Sequence, residues 1–365
     1  MRKLDQNKKT ELLYQEKKLT TTTFKCPSCG GEAKFSPKHQ KLKCEYCGTL
    51  TDVDMSSLVS EQDIGDLLVE AVVDKDVDVY QCSSCGAKEV ISKQDIAVSC
   101  PFCGTNNIVK KEELSGIKPQ GIVPFKIEQQ KVSEIANKWA KKRRMAPNDF
   151  YKVAQTNNIK GIYNPLFTFD SITESTYKGR LGDRKTRTVG YGKNRRTETY
   201  VVYYSVQGSH SGKFDEVLVQ ASNKIPQNRL DDIAPFSTND AITYDSSFLR
   251  GYTASSNTIN GQDGWNIAKN KMSEDIRKDI LRKYHYDVID YLNVDTKFSS
   301  NTYKYILVPL YVGVHKYKNK VYNFYVNGLN GKISGESPIS FWKALFLTIF
   351  IILVVGIIVW SCFVN

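Results

Sequence analysis

Eight cysteines repeat one frame twice: Cys26, Cys29, Cys44 and Cys47, then Cys82, Cys85, Cys100 and Cys103. Each frame reads C-x-x-C, fourteen residues, C-x-x-C, and the second follows the first by 56 residues. A C-x-x-C turn presents two thiolates to one side of a metal, and two such turns complete the tetrahedron that zinc prefers. The glycine after each second cysteine, in CPSCG, CEYCG, CSSCG and CPFCG, lets the backbone fold back beneath the sulfurs. All four positions of each site are cysteine, so none is left for a catalytic water. Two structural Zn²⁺ ions are therefore expected. The competing reading is a disulfide framework. The chain begins MRKLDQNKKTELLYQEKK, charged throughout, and is read as lacking a signal peptide, so its thiols are expected to stay reduced.

The ribbons are too small to account for 365 residues, and more than 200 residues follow them. The formal net charge is +12, and eight thiolates with two zinc ions bring it to about +8. Such a balance suits nucleic acid or an anionic membrane surface equally well.

The C-terminus separates these partners. ALFLTIFIILVVGIIVWSCF, residues 344–363, is twenty residues without a charge. As a helix it measures about 30 Å, the thickness of a hydrocarbon core. Trp342 and Trp360 sit where an aromatic belt would fall, and Lys343 marks the near interface. The expectation is one transmembrane helix over 342–363, a tail anchor that leaves the basic N-terminal part in the cytoplasm. Gly356 has no glycine four residues away, so no G-x-x-x-G dimerisation face is read there.

Along the chain the sequence divides into a charged extension (1–23), ribbon 1 (24–53), a helical linker (54–77), ribbon 2 (78–110), a β-rich α+β domain (116–336) and the anchor. In the linker, Leu58, Ile64, Leu67, Leu68 and Val72 suggest a short amphipathic helix. A second helix is expected over 128–145, with Val132, Ile135, Ala136 and Trp139 on one face. Its other side carries Lys138, Lys141, Lys142, Arg143 and Arg144, and Pro147 ends it. From Ile162 to Ser222, β-branched residues and glycine turns predict a series of antiparallel hairpins. The one around Gly190–Gly192 carries Arg184, Arg187, Arg195 and Arg196. Both basic groups are read either as solvated faces or as contacts to anionic lipid or nucleic acid. Ala268, Met272, Ile276, Ile280 and Tyr284 recur every four residues and predict a helix over 264–284, with an extension toward Leu292. Residues 303–317 and 320–328 read as a hairpin across Lys318-Asn319. The fold class is α+β.

Enzyme signatures are missing. Gly192, Gly212 and Gly331 precede lysines but lack the upstream glycine of a phosphate loop. GSHSG at 208–212 puts His210 where a nucleophile elbow needs serine. His39, His210, His285 and His315 are scattered. No catalytic residue is assigned, and no small-molecule substrate is expected.

Specific segments carry a resemblance. FKCPSCGGEAKFSPKHQKLKCEYCGTL, the second ribbon with CPFCG, YNPLFTFD, YDSSFLRGY and PLYVGVHKYKNKVYNFYVNGLNGKISGESP before an apolar end resemble a bacterial family of TFIIB-type zinc-ribbon membrane proteins. The resemblance covers most of 24–360; the charged N-terminal extension departs from it. Such proteins are often labelled primosomal helicase-like, but this chain has no nucleotide-binding motif. The resemblance implies a membrane adaptor, because relatives accompany PspA-type and SPFH-type envelope proteins. The expectation is thus a non-enzymatic adaptor docking a protein partner at the membrane. The alternative is a nucleic-acid-binding protein of replication or transcription.

Overall fold

The computed structural model describes residues 24–364 apart from 37–38, 40, 53–58, 69–76, 93–98, 107, 112–117, 149, 151–158, 250–251 and 318–319. The extension 1–23, Leu58, Val72 and the Lys318-Asn319 turn lie outside the described residues.

Ribbon 1 is a four-stranded antiparallel sheet: β1 (Phe24–Lys25), β2 (Glu32–Ser36), β3 (Lys41–Cys44) and β4 (Leu50–Thr51). Its inner face points Ala33 and Leu42 into the large core beside Phe248 and Leu249. The linker holds a two-residue strand, β5 (Gln62–Asp63), and a 3-10 turn at Ile64–Leu68 in place of the described part of the expected amphipathic helix. Leu67 supplies the apolar contact of that turn, buried beside Trp265 and Ala268.

Ribbon 2 contains β6 (Val77–Cys82), β7 (Lys88–Ser92) and β8 (Ile108–Lys111). Its strands join the large sheet, where β7 pairs with β13 (Thr253–Ser255) through Val90–Ala254 and Glu89–Ser255. Local spacing fixes the metal frame but says nothing about which sheet its strands extend.

The β-rich region starts with β9 (Gly121–Ile122) and α1 (Gln129–Lys141), which buries Val132, Ala136, Trp139 and Ala140. The helix stops four residues short of the expected end. Lys142, Arg143 and Arg144 lie in the turns that follow, where the Arg143 guanidinium stacks over Trp139 at 4.7 Å.

Three strands of unusual length organise the rest: β10 (Ile159–Val189), β11 (Arg196–Gln220) and β14 (Val288–Tyr317). β10 lies between the other two, antiparallel to both. The series of antiparallel hairpins expected from Ile162 to Ser222 is instead one hairpin of two long strands, and Gly179 and Gly182 form no turns. Both lie within β10, at close cross-strand approaches. A Cβ on Gly182 would fall 2.5 Å from Val201 Cγ1, and one on Gly179 would fall 2.8 Å from the Tyr291 carbonyl. Bulges in both outer strands flank Asp170. Glu216 and Ser300 adopt positive φ there, and Glu216 N–H donates to the Asp170 carboxylate at 2.7 Å.

Between these long strands come α2 (Gln227–Ile233), β12 (Ile242–Thr243) and β13. Next, α3 (Gly261–Leu281) is capped by Asn260, whose side chain accepts from Asp263 N–H at 2.8 Å. It buries Ala268, Met272, Ile276 and Ile280 against the long sheet, as their spacing predicts. The expected extension to Leu292 is not observed. The Asp287 N–H donates to the Gly182 carbonyl, and from Val288 the chain pairs with β10, so sheet hydrogen bonds replace helical ones. Tyr284 lies beyond the helix and shares a hydroxyl contact of 2.8 Å with Tyr177. β15 (Lys320–Asn327) and β16 (Ile333–Gly335) complete the sheet.

The last element is α4 (Phe341–Val364). Among the described residues no helix is long and apolar enough to cross a membrane. The transmembrane span expected over 342–363 is thus not found there. The described apolar side chains of α4 are open to solvent along the helix, with Phe346 67%, Phe350 63% and Ile352 64% exposed.

Candidate metal centres

Four copies of one knuckle build the two centres. In each, the carbonyl of the first cysteine accepts the N–H of the glycine four residues on: Gly30 to Cys26, Gly48 to Cys44, Gly86 to Cys82 and Gly104 to Cys100, at 2.8–3.1 Å. The N–H of that cysteine donates to the carbonyl one residue beyond the glycine, at Gly31, Thr49, Ala87 and Thr105. The four knuckle glycines have φ between 69° and 74°, a region in which any side chain would be strained. The C-x-x-C-G pattern is thus the local code for the turn.

The knuckles bring four sulfurs together in each ribbon, all within 4.8 Å of one another. The separations are 3.5 Å for Cys26–Cys47 and Cys29–Cys44, 3.6 Å for Cys82–Cys103 and 3.7 Å for Cys85–Cys100. Four thiolates about 2.3 Å from a tetrahedral zinc are separated by about 3.8 Å, so both donor sets fit the ion. A disulfide would require sulfurs about 2.05 Å apart, and all eight cysteines are free thiols.

The thiol electrostatics show why a cation belongs there. In ribbon 1 burial pushes Cys26 up, but the N–H groups of Ser28 and Cys29 outweigh it and leave it below the ordinary thiol range. The Thr49 hydroxyl and N–H bring Cys47 down to about 6. The Gly31 N–H favours ionised Cys29, yet the neighbouring Cys44 and Cys47 thiols push it up to about 12. In ribbon 2 burial raises Cys82, but the Thr105 hydroxyl and the N–H groups of Cys85 and Ser84 bring it down to about 6. Burial pushes Cys85 and Cys100 up. Four sulfurs this close cannot all ionise on their own, and a dication removes the conflict.

Thr49 and Thr105 were missed by the sequence reading. Their hydroxyls lie 3.1 Å from Cys47 Sγ and 3.2 Å from Cys103 Sγ. The signal was present: the second knuckle of each ribbon reads C-G-T, in CEYCGT and CPFCGT.

The two centres differ in their surroundings. Ribbon 2 is covered on one side: Cys82, Cys100 and Phe102 share a core with Ile162, Val312 and Tyr325, and Asn323 donates to the Phe102 carbonyl at 3.2 Å, while Cys85 is exposed. Lys160 from β10 reaches the Ser99 carbonyl and hydroxyl. Burial holds nearby Glu89 up at about 7 and pushes Lys160 down. In ribbon 1, Cys29 and Cys47 are exposed. Tyr46, between its second pair of cysteines, is 81% exposed.

The structure gathers the basic residues into two separate groups. Lys141, Lys142, Arg143 and Arg144 are exposed beside the foot of α4, where Lys343 Nζ donates to the carbonyls of Arg144 (3.3 Å) and Ala146 (2.7 Å). Arg184, Arg187, Arg195 and Arg196 are exposed at the far end of the β10–β11 hairpin. There Glu198 pairs with Arg187 at 3.3 Å and with Arg196 at 2.9 Å. Gln129 of α1 is bonded to the Ile159 carbonyl at the start of β10, so about 80 Å of strand separates that anchor point from Arg184.

No family model and no solved structure matches the chain. The chain is 26% identical over 324 residues to the uncharacterized protein YdjG of Bacillus subtilis (strain 168), an alignment covering 87% of this chain and 90% of that relative.

Proposed function

We propose that the chain is a non-enzymatic adaptor anchored in the cell membrane by one C-terminal helix, with its zinc ribbons docking a protein partner on the cytoplasmic side. The observation that carries this reading is the unequal use of one ribbon surface. Phe102 and Tyr46 occupy the same position in the two frames, 56 residues apart. Phe102 is 7% exposed against the chain's own sheet, while Tyr46 is 81% exposed. Ribbon 2 spends that face on the body of the protein, and ribbon 1 keeps it for another molecule. An exposed tyrosine on a rigid knuckle offers large contact area at little entropic cost.

The anchor rests on the uncharged run 344–363 and on the exposure of the apolar side chains along α4. The exposed Lys141–Arg144 segment at the foot of α4 then faces anionic headgroups. The resemblance to TFIIB-type zinc-ribbon membrane proteins points to PspA- or SPFH-type envelope proteins as the partner class. All eight thiols are zinc ligands, so both ions have closed coordination and do no chemistry.

A second reading, nucleic-acid binding, draws on the exposed arginines of the β10–β11 tip, but Glu198 already pairs with two of them. Salt-sensitive binding of DNA or RNA to the chain truncated after Pro338 would favour it.

The test crosslinks native membranes that contain the full chain, the Tyr46→Ala variant or the chain truncated after Pro338. Tyr46→Ala is expected to stay in the membrane with its zinc content unchanged and to lose the crosslinked protein partner. The truncated chain is expected in the soluble fraction. Partners that persist with Tyr46→Ala, or nucleotide hydrolysis at ordinary enzymatic rates by the purified chain, overturn the adaptor reading.

A further inference from the structure

The described part of the linker between the ribbons, residues 59–68, lies as a strap against the long sheet. Glycines make room for it at both ends. A Cβ on Gly121 would collide with Val59 Cγ2, and one on Gly261, the first residue of α3, would collide with Leu67. Between these apolar seats β5 pairs with β14 at Thr302 and Tyr303, and the Tyr303 hydroxyl donates to Gln62 Oε1 at 3.2 Å.

The middle of the strap is held by acids. Glu61 accepts from the Thr302 hydroxyl at 3.0 Å and pairs with Lys304 at 3.2 Å. Lys304 also pairs with Glu216 of β11 at 3.4 Å, and Glu216 N–H donates to the Asp170 carboxylate. Asp170 lies directly across from Thr302 in the β10–β14 register, so Asp170, Thr302 and Lys304 share one face of the sheet. On that face the carboxyls of Asp170 and Glu61 hydrogen-bond to each other. Asp215 of β11 adds a further negative charge beside Asp170. The strap's other acids are Asp63, which accepts from Gly65 N–H, and Asp66, which acts on Tyr303. Of the other lysines on these elements, Lys271 donates to the Leu218 carbonyl and Lys213 lies opposite Ile172, beyond the bulge.

An ionised carboxylate only accepts, so two carboxyls can hydrogen-bond only when one of them carries a proton. We propose that this shared proton is a latch: the strap is held on the sheet while the Glu61–Asp170 pair carries one proton, and it is released when the pair loses it. Burial, with Glu61 and Asp215 beside it, holds Asp170 above the ordinary carboxylate range, although Glu216 N–H favours its ionised form. Burial also raises Glu61, but Asp170, Thr302 and Lys304 outweigh it and leave Glu61 below that range. A raised carboxyl stabilises the latched state at low pH, and this contribution is lost as pH rises through the raised value. The depressed Glu61 keeps its pairing with Lys304 until pH falls through its own lower value. The strap is therefore held best between the two values and loosens toward alkaline pH. This device is separate from partner docking, since the proton acts on the segment that joins the ribbons and no partner takes part.

The test follows amide exchange of residues 59–68 in the full chain, in mild detergent with zinc in excess, each rate corrected for the intrinsic effect of pH. Protection is expected to fall by about tenfold from pH 5.5 to pH 8. Asp170→Asn keeps an acceptor for Glu216 N–H and gives Glu61 a permanent donor. It is expected to hold the strap at pH 8 as firmly as the wild type at pH 5.5. Glu61→Gln supplies the donor from the exposed side of the pair, and it carries the test should Asp170→Asn fail to fold. It is expected to flatten the response as well, at lower protection because the Lys304 pair is lost. Wild-type protection that stays flat from pH 5.5 to pH 8 overturns the proposal. So does either folded variant that keeps the wild-type slope, since the proton would then sit elsewhere, Asp63 and Asp66 included.

Discussion

Lys343 at the foot of α4 donates its ammonium to the Ala146 carbonyl at 2.7 Å. The Ser340 N–H also reaches the Met145 carbonyl at 2.8 Å, so the start of the last helix is fastened to the loop that follows α1. That loop and the last residue of α1 expose Lys141, Lys142, Arg143 and Arg144. Removing the helix and neutralising the loop should therefore act on the same property, membrane association. Truncation after Pro338 is expected to move the chain to the soluble fraction. Lys141→Gln/Lys142→Gln/Arg143→Gln/Arg144→Gln is expected to lower the affinity of that truncated chain for vesicles containing anionic lipid, by about 1 kcal/mol per charge at low salt. A truncated chain that still pelleted with membranes after a salt wash would refute the single-anchor reading.

The two candidate zinc centres should fail differently. Cys44→Ser is expected to halve the zinc content and unfold ribbon 1, with a smaller cost to the β-rich region, to whose core ribbon 1 contributes Ala33 and Leu42. Cys100→Ser is expected to halve the zinc content as well, and to lower the thermal midpoint of the whole β-rich region. Its knuckle shares a core with β10, β14 and β15. Elemental analysis with thermal unfolding separates the cases, and equal effects on the large sheet would contradict the arrangement.

Zinc retention should depend on pH in a stated direction. Cys47 and Cys82 are depressed to about 6, so their ionised forms stabilise the folded ribbons above the ordinary thiol range. That stabilisation is lost as pH falls through about 6, when protons compete with the metal. Zinc release followed with a chromogenic chelator should rise across this window. A flat response from pH 7.5 down to pH 5 would argue against thiolate ligation.

Thr49 and Thr105 should tune that response. Their hydroxyls support the thiolates of Cys47 and, at the second centre, of Cys82. Thr49→Val and Thr105→Val preserve shape and remove the donor. Each is expected to weaken zinc binding at its own centre by about tenfold, in the range found for groups behind metal ligands. Competition with a chelator of known affinity measures it, and unchanged affinity would mean that the hydroxyls are bystanders.

Phe125 tests the core. It is 2% exposed and packs among Tyr163 at 5.1 Å, Tyr252 at 4.2 Å and Tyr311 at 4.8 Å between ring centroids. Phe125→Ala is expected to cost about 3–5 kcal/mol of stability, read from denaturant unfolding.

The sequence by itself determined what is local. A C-x-x-C-G knuckle needs only five residues and a glycine at positive φ, so both metal centres were legible residue by residue. The four-residue spacing from Ala268 to Ile280 placed the main helix for the same reason: one apolar stripe must be buried. Sheet membership was decided only in three dimensions. Gly179 and Gly182 lie inside one long strand because a glycine's need for space depends on the strands that cross it, at Tyr291 for Gly179 and at Val201 for Gly182. The segment from Val288 looked like a continuing helix because only its pairing with β10 makes it extended. The difference between Tyr46 and Phe102 was equally hidden. Their frames are the same, and burial depends on whether a distant sheet edge happens to accept the ribbon.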